Sequence, residues 1–510
     1  MRSTKYESAS TPGDSASAER QESSFWPLLF ATPVFLLVAA YHLGPVRFHS
    51  DDHPWIDAAR GGLVSGLVSS DPYGHFRPVF HAWIWALDTL GVSSPAGFGF
   101  VGLGLQLVLI ALTFAVFRAF VGSQGASVGA ALVAIHPVRQ DHWFWVCTQI
   151  DLLCLIFIMA ALWLGVRFVR SPGSAVLLVA LAAVTFAGAL TKESALAIPF
   201  AVFLLPSSNA NIRSRALAAG AAGLGALAAI LATTAVLHGI GGHTRAMLQA
   251  PDYLRLLRFW LRMIVPFDWR ALWYQFQTRQ SLTPLWPVLA LGISGLAAAA
   301  YGIAAWKTRR LATTWLSLVL AVWAAAIWSL HEPDRSLGIA AFSLAALLAG
   351  ILQATPARTT VLVMVAFSAL WAPRWWHCVT VWRATDEEGE HLEASLAEWR
   401  GRVRRDEQVV ALGTPYEIAD IGQPERIFEL DHCASRVLEI DQAATDFAAA
   451  IYTPAPAGMI RVANNRQASF GSCQTKLEIQ GAVEGVLSDH AIPARTCNEI
   501  GMLTSVVVDP

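Results

Sequence analysis

The chain has 510 residues, of which 55% are hydrophobic and 14% charged, with a formal net charge of -1 and a mean hydropathy of +0.47. Soluble domains carry nearer about 25% charged residues, so these values exclude a water-soluble globular protein and point to a polytopic membrane protein. No basic run offers a footprint for nucleic acid.

Residues 1–24 are polar and Ser/Thr-rich, with no apolar core segment, and read as a disordered cytoplasmic tail. Residues 25–44 supply the roughly 20 apolar residues that cross a bilayer. No small-residue cleavage site follows them, so they read as an uncleaved first helix rather than a signal peptide. Ten more apolar runs follow, at 98–117, 124–136, 144–166, 173–190, 194–206, 216–238, 285–306, 311–330, 336–353 and 358–376. The runs at 124–136 and 194–206 are short for a crossing and must be tilted, extended by their flanks or incomplete.

Loop charges set the orientation. With the N-terminus inside, the short inner loops carry Arg118, Arg167 and Arg170, Arg213 and Arg215, Lys307-Thr308-Arg309-Arg310, and Arg358, as the positive-inside rule requires. Eleven crossings then place the C-terminus outside. Four polar clusters fall on that same outer side: His49-Ser50-Asp51-Asp52-His53, His136 through His142, Thr191-Lys192-Glu193, and His331-Glu332-Pro333-Asp334-Arg335. Ionisable residues at membrane depth are costly and tend to mark a substrate path or a catalytic site, so one polar cavity is expected there.

Two outer segments are large, 45–97 and 239–284. Within the first, residues 79–90 are apolar and Trp-rich but too short to span, and read as an interfacial or re-entrant helix. Within the second, Arg255, Arg258 and Arg262 share one helical face by their spacing. Leu and aromatic residues fill the rest, the pattern of a helix lying in the headgroup plane. That face suits either simple anchoring or an anionic lipid phosphate. Beyond residue 376 the composition changes. Residues 386–405 read as a charged helix, and 408–413, 459–462 and 504–508 as strands, giving a small extracytoplasmic α/β domain over 385–510. Cys378, Cys433, Cys473 and Cys497 lie late, where an oxidising compartment would allow one or two disulfides.

The acidic pair Asp51-Asp52 follows the first span, and Asp71, His75 and Arg77 lie in the same loop. A carboxylate at a cavity mouth can serve as general base, or the pair can hold a divalent cation, Mg or Mn, that meets a donor phosphate. Pro137 ends the helix before it, leaving His136, Asp141 and their neighbours to line a loop or cavity. Asp151 precedes a long apolar run, where an interhelical ion pair or hydrogen bond is expected rather than catalysis. Lys192 offers a point charge for phosphate. The adjacent Glu193 faces elsewhere and needs a different partner. Arg335 offers a bidentate fork for a lipid phosphate.

In order, the motifs are an acidic pair after the first span, Phe76-Arg77-Pro78-Val79-Phe80, His136-Pro137 with Trp145 and Asp151-Leu152-Leu153 after it, Lys192-Glu193, and an Arg-bearing outer loop. Over roughly 25–376 this resembles the membrane-embedded glycosyltransferases of the C superfamily (GT-C), closest to the tetratricopeptide-repeat O-mannosyltransferases and their bacterial relatives. Thr148-Gln149 stands where that family's Gly-Arg would precede Asp151. The resemblance implies an all-α polytopic fold of about eleven helices in a bacterial inner membrane. It implies inverting transfer of a hexosyl or pentosyl group from a polyprenyl-phosphate donor to a glycan, lipid or protein acceptor on the outer face. Asp51 or Asp52 would be the catalytic base or a metal ligand, Lys192 and Arg335 would meet the donor phosphate, and His75, Arg77, His136, Asp141 and Glu193 would shape the pocket. A polar-lipid transporter or flippase, or a non-catalytic scaffold with an outer binding domain, are the alternative readings. No Walker A motif and no strand–helix G-x-G-x-x-G is present to bind a nucleotide.

Overall fold

The computed structural model describes residues 25–49, 52–71, 74–139, 141–205, 211–237, 316, 319–320, 338–353 and 355–399, with the backbone of six short strands beyond. Outside the described residues lie the 1–24 tail, Asp51, Arg255, Arg258, Arg262 and Arg335, the 285–306 run and most of 311–330. Every described element up to residue 399 is helical.

A 3-10 turn at Trp26–Ala31 leads into α1 (Thr32–His42). Three short helices follow, α2 (Asp52–Arg60), α3 (Leu63–Val68) and α4 (Pro78–Thr89). The long helix α5 (Pro95–Arg118) starts where the Ser94 hydroxyl accepts from the Gly97 amide at 3.1 Å, with Pro95 pre-set for the first turn. Next come α6 (Ser123–Ile135), the four-residue α7 (Asp141–Phe144), α8 (Gln149–Arg170) and α9 (Ala175–Thr191). His136 is extended, as the residue before Pro137 must be, and this ends α6. Gly173 takes φ 119°, a left-handed conformation that suits glycine and lets α8 turn into α9. A 3-10 turn at Glu193–Ala197 and α10 (Ile198–Phe203) precede α11 (Ile212–Leu237), and later come α12 (Gly338–Leu352) and α13 (Ala357–Trp399).

Chain direction alternates from helix to helix. At one end of the bundle Arg170, closing α8, donates to Ala119 O at the end of α5. Nearby, Gln353 after α12 accepts from the Gly122 amide before α6 at 3.2 Å, and Gln124 donates to Thr360 on α13 at 3.1 Å. At the opposite end His42 meets Trp143 O at 2.8 Å, Gln149 donates to Phe98 O at 2.8 Å and Lys192 meets Asp151. The first end carries arginines and amides. The second carries the acidic and histidine clusters.

The helices α5, α8 and α11 are long and apolar enough to cross a membrane. Shorter apolar helices accompany them at Trp26–His42, Ser123–Ile135, Ala175–Thr191, Glu193–Phe203 and Ala341–Leu352. α8 is the most enclosed. Leu36, Leu107, Val179, Leu224 and Leu362 are exposed on the outside of the bundle, a greasy surface suited to lipid rather than water. The cap formed by α2 and α4 sits at the polar end. There the Trp55 and Phe80 rings meet edge-on at 4.7 Å and Arg60 pairs with Asp88 at 3.2 Å.

The helix α13 departs from expectation. The apolar run ends at residue 376, yet the helix continues to Trp399, 43 residues in all. That is about 65 Å, twice a hydrocarbon core of about 30 Å. Polar residues end a membrane crossing without ending a helix. The inner stripe Met364, Trp371, Trp375, Cys378, Trp382 and Asp386 keeps helical spacing and stays buried throughout. Cys378, a candidate for a disulfide, is buried in that stripe and forms no disulfide among the described residues. Cys433, Cys473 and Cys497 lie outside the described residues. Beyond α13, strands β1 (Gln408–Leu412), β4 (Ala443–Thr445), β5 (Gly458–Val462) and β6 (Val507–Val508) pair in the order β4-β1-β5-β6. β2 (Glu417–Asp420) and β3 (Gln423–Arg426) form a hairpin.

Close helix approach depends on small residues. A methyl placed on Gly225 of α11 would lie 2.2 Å from Ala182 O and 3.1 Å from Phe186 N on α9. Gly225→Ala is therefore expected to push α11 off α9 and lower stability by about 1–3 kcal/mol. Gly220→Ala and Gly223→Ala, where a methyl meets nothing within 4 Å, are expected to leave the melting temperature in detergent unchanged or raised.

Candidate functional site

The polar end of the bundle is organised around the start of α8. Proline ends α6 at His136, and the chain crosses the bundle end through residues 137–148 before α8 begins. The Cys147 amide in this stretch donates to Asp52 Oδ1 at 2.6 Å. Gln149 binds two other elements: its Nε2 donates to Phe98 O at 2.8 Å, and its Oε1 accepts from Trp83 Nε1 at 3.0 Å. Two residues on, Asp151 pairs with Lys192 from the α9–α10 turn. Within five residues α8 thus receives α2, α4, α5 and the end of α9.

Asp52 is buried, and both its oxygens face backbone amides: Oδ2 accepts from His49 N at 2.9 Å and Oδ1 from Cys147 N. These bonds hold the α1–α2 connection against the start of α8. Each carboxylate oxygen has a further lone pair, so the two amide bonds fix where Asp52 stands and leave it acceptor capacity. Among the described residues no group of three or more His, Cys, Asp and Glu gathers to hold a metal ion. Beside Asp52, His49 Nε2 lies 3.2 Å from Asp386 Oδ1, and the Tyr41 hydroxyl donates to Asp386 Oδ2 at 2.6 Å.

A second group gathers Asp71, His75, Arg77 and Glu193. The Asp71 carboxylate accepts from the His75 amide at 2.7 Å and closes the turn before α4. Arg77 then reaches Asp71 at 3.8 Å and Glu193 at 3.5 Å. These are loose contacts, since a charge-assisted bond is about 2.7–2.9 Å. Among the described residues Arg77 Nε is buried with no hydrogen-bond partner. Lys192 and Glu193, adjacent in sequence, do have separate partners, in Asp151 and Arg77. Desolvation opposes the Glu193 charge. Arg77, the Glu193 amide, His75 and Lys192 outweigh it and hold the carboxyl below the usual glutamate value.

Elsewhere at this end, His136 is buried, with Nδ1 accepting from the Val138 amide at 3.2 Å and its ring 4.7 Å from that of Trp371. Asp141 opens α7. Arg139 is fully buried. It donates to Val133 O at 3.1 Å and to Gln106, and its guanidinium lies 5.9 Å from the Phe342 ring centroid. Burial pushes it down to about 9. Its bond to a carbonyl of the last turn of α6 marks it as a helix cap.

The structure therefore brings together Asp52, His75, Arg77, His136, Lys192 and Glu193 at one end of the bundle, with the backbone of Asp141. Tyr41, Trp83 and Asp386 join them without having been singled out from sequence, and so does Gln149, noted there only as a departure from the family's Gly-Arg. Gln149 carried a usable signal, an amide two residues before Asp151 at the head of an apolar helix. Asp386 carried none, sitting among other charged residues. No protein-family model matches the chain, and no curated protein matches it.

Removing one partner of a buried ion pair strands the other. Lys192→Ala is expected to cost on the order of 3 kcal/mol, and the Asp151→Asn, Lys192→Gln double variant to recover most of it, read by thermal unfolding in detergent. Glu193 has a lowered folded pKa. Its contribution is therefore complete above the unfolded glutamate value of about 4.3 and disappears as pH falls through the folded value. Arg77→Gln is expected to raise the Glu193 titration, followed by carboxyl infrared difference spectra with Glu193→Gln as the reference.

Proposed function

We propose that this chain is a membrane-embedded glycosyltransferase that moves a sugar from a polyprenyl-phosphate donor to an envelope glycan, lipid or protein acceptor. The observation that carries this reading is the convergence of the α1–α2, α6–α8 and α9–α10 turns and the start of α4 at one end of an apolar bundle. It leaves Arg77 loosely held, with a buried donor to spare. The resemblance to the C superfamily places the same motifs in the same order. In this reading the polar end faces outward across a bacterial inner membrane. The N-terminus is cytoplasmic, about eleven helices cross, and residues 385–510 form an outer domain.

The acceptor hydroxyl attacks the anomeric carbon from the face opposite the donor phosphate. A new C–O bond forms as the bond to the phosphate oxygen breaks, and the polyprenyl phosphate leaves with that electron pair. The hydroxyl proton passes to a carboxylate. Two amides hold Asp52 in place; we assign it to fix the turn and its sequence neighbour Asp51 to act as the base. Arg77 and Arg335 bind the leaving phosphate and stabilise its developing charge. Lys192, tied to Asp151, holds the α9–α10 turn and adds a fixed positive charge.

Reconstituted protein in liposomes with radiolabelled polyprenyl-phosphate sugars and total envelope acceptors tests this. Asp51→Asn is expected to lower transfer at least about 100-fold. Arg77→Gln is expected to lower kcat/KM for the donor about 10- to 100-fold. Undiminished transfer by Asp51→Asn would remove that carboxylate from the reaction, and lipid flipping without transfer would favour a transporter.

A further inference from the structure

The end of the bundle opposite the acidic and histidine clusters holds arginines that take no part in the proposed reaction. α8 is buried around most of its circumference, and its open face is a narrow stripe. Ile156, Ala160, Trp163, Arg167 and Arg170 follow one another along it, three or four residues apart. The stripe is apolar until its last turn, where the Arg167 guanidinium lies 5.6 Å from the Trp163 ring centroid. α5 repeats the pattern, with Phe100, Leu107, Ala111 and Arg118 exposed at helical spacing. A methyl on Gly104, within that face, would meet nothing within 4 Å. Arg170 donates to the carbonyl of Ala119, the residue after Arg118. The two stripes therefore join at their charged ends.

These cations lack what the others have. Arg60, Arg77 and Lys192, at the opposite end, each face a carboxylate. Among the described residues no carboxylate pairs with Arg118, Arg167 or Arg170, and residues 89–140 and 152–192 contain no Asp or Glu. We propose that the joined stripes of α5 and α8 hold an anionic phospholipid, with its acyl chains along the apolar residues and its phosphate among these three arginines. Basic pockets between membrane helices recognise such headgroups, and guanidinium suits a phosphate by its forked donors. From Ile156 to Arg170 the stripe is about 21 Å long, enough for one leaflet of a core about 30 Å thick. Trp163 then lies at headgroup level, where indole is favoured. A zwitterionic lipid carries its own cation next to the phosphate and gains less here. Orientation by loop charge requires only arginine on this side of the membrane, not arginine gathered at the end of an open apolar groove. The proposal does not rest on the transferase reading.

Native mass spectrometry of the full chain, released from neutral detergent after addition of phosphatidylglycerol or phosphatidylcholine, tests this by counting retained lipid. The wild type is expected to retain phosphatidylglycerol in preference to phosphatidylcholine, with the preference weakening at high salt. Arg118→Gln, Arg167→Gln and Arg170→Gln are each expected to weaken phosphatidylglycerol retention about 5-fold, and the triple variant about 100-fold. Arg60→Gln, exposed at the opposite end, is expected to change nothing. Thermal unfolding in lipid-free detergent separates lost lipid from lost fold. Should the Arg170 variant fail to fold without its bond to Ala119, the Arg118→Gln, Arg167→Gln double variant carries the test, at about 25-fold. Equal retention of the two lipids by the wild type overturns the proposal, as does an undiminished preference in the folded variants. Displacement of phosphatidylglycerol by millimolar glycerol 3-phosphate would mark a site for free phosphate and overturn it too.

Discussion

A charged side chain inside an apolar helix bundle persists only beside its counter-charge or a full set of hydrogen bonds. In this chain that requirement is met at the first turn of α8. Asp151 there takes Lys192, Gln149 takes Trp83 and the Phe98 carbonyl, and the Cys147 amide takes Asp52. Each bond fixes a different element, so the ends of α2, α4, α5 and α9 are placed by five residues. The rest of the polar end follows from that placement. Arg77 meets Glu193 because Glu193 follows Lys192, and His49 meets Asp386 beside the turn that Asp52 has closed.

Two populations of charge share this end. Asp52, Asp151 and Lys192 are engaged at short range and serve the architecture. Arg77 and Glu193 sit at 3.5 Å from each other, partly exposed, and are the groups with capacity left for a ligand.

The helix α13 shows how membrane and helix boundaries differ. A helix continues wherever backbone and stripe allow it: residues 377–399 contain no proline, and the buried spacing runs on through Asp386. A bilayer crossing ends where charge begins. Treating the two boundaries as one places a domain border at 376, whereas the chain runs through it as a single helix with Trp382 and Asp386 turned inward. The aromatic stripe from Trp371 to Trp382 packs with Trp143, Phe144 and Trp145, which joins the extension to the core of the bundle.

Legible in the sequence were the apolar segments among the described residues, the break at Pro137, and the clustering of ionisable residues at span ends. All of these are local effects of hydropathy, backbone freedom and desolvation cost. That Asp151 would take a structural partner, by ion pair or hydrogen bond, and that Lys192 and Glu193 would have separate partners, were legible for the same reason. Tertiary structure alone decided which partner each took. It set Asp52 against the backbone, Arg139 as a cap on α6, and Asp386 beside Tyr41, 345 residues away. Spacing along one helix cannot encode such pairs, because which turn of one helix faces which turn of another depends on how all of them pack.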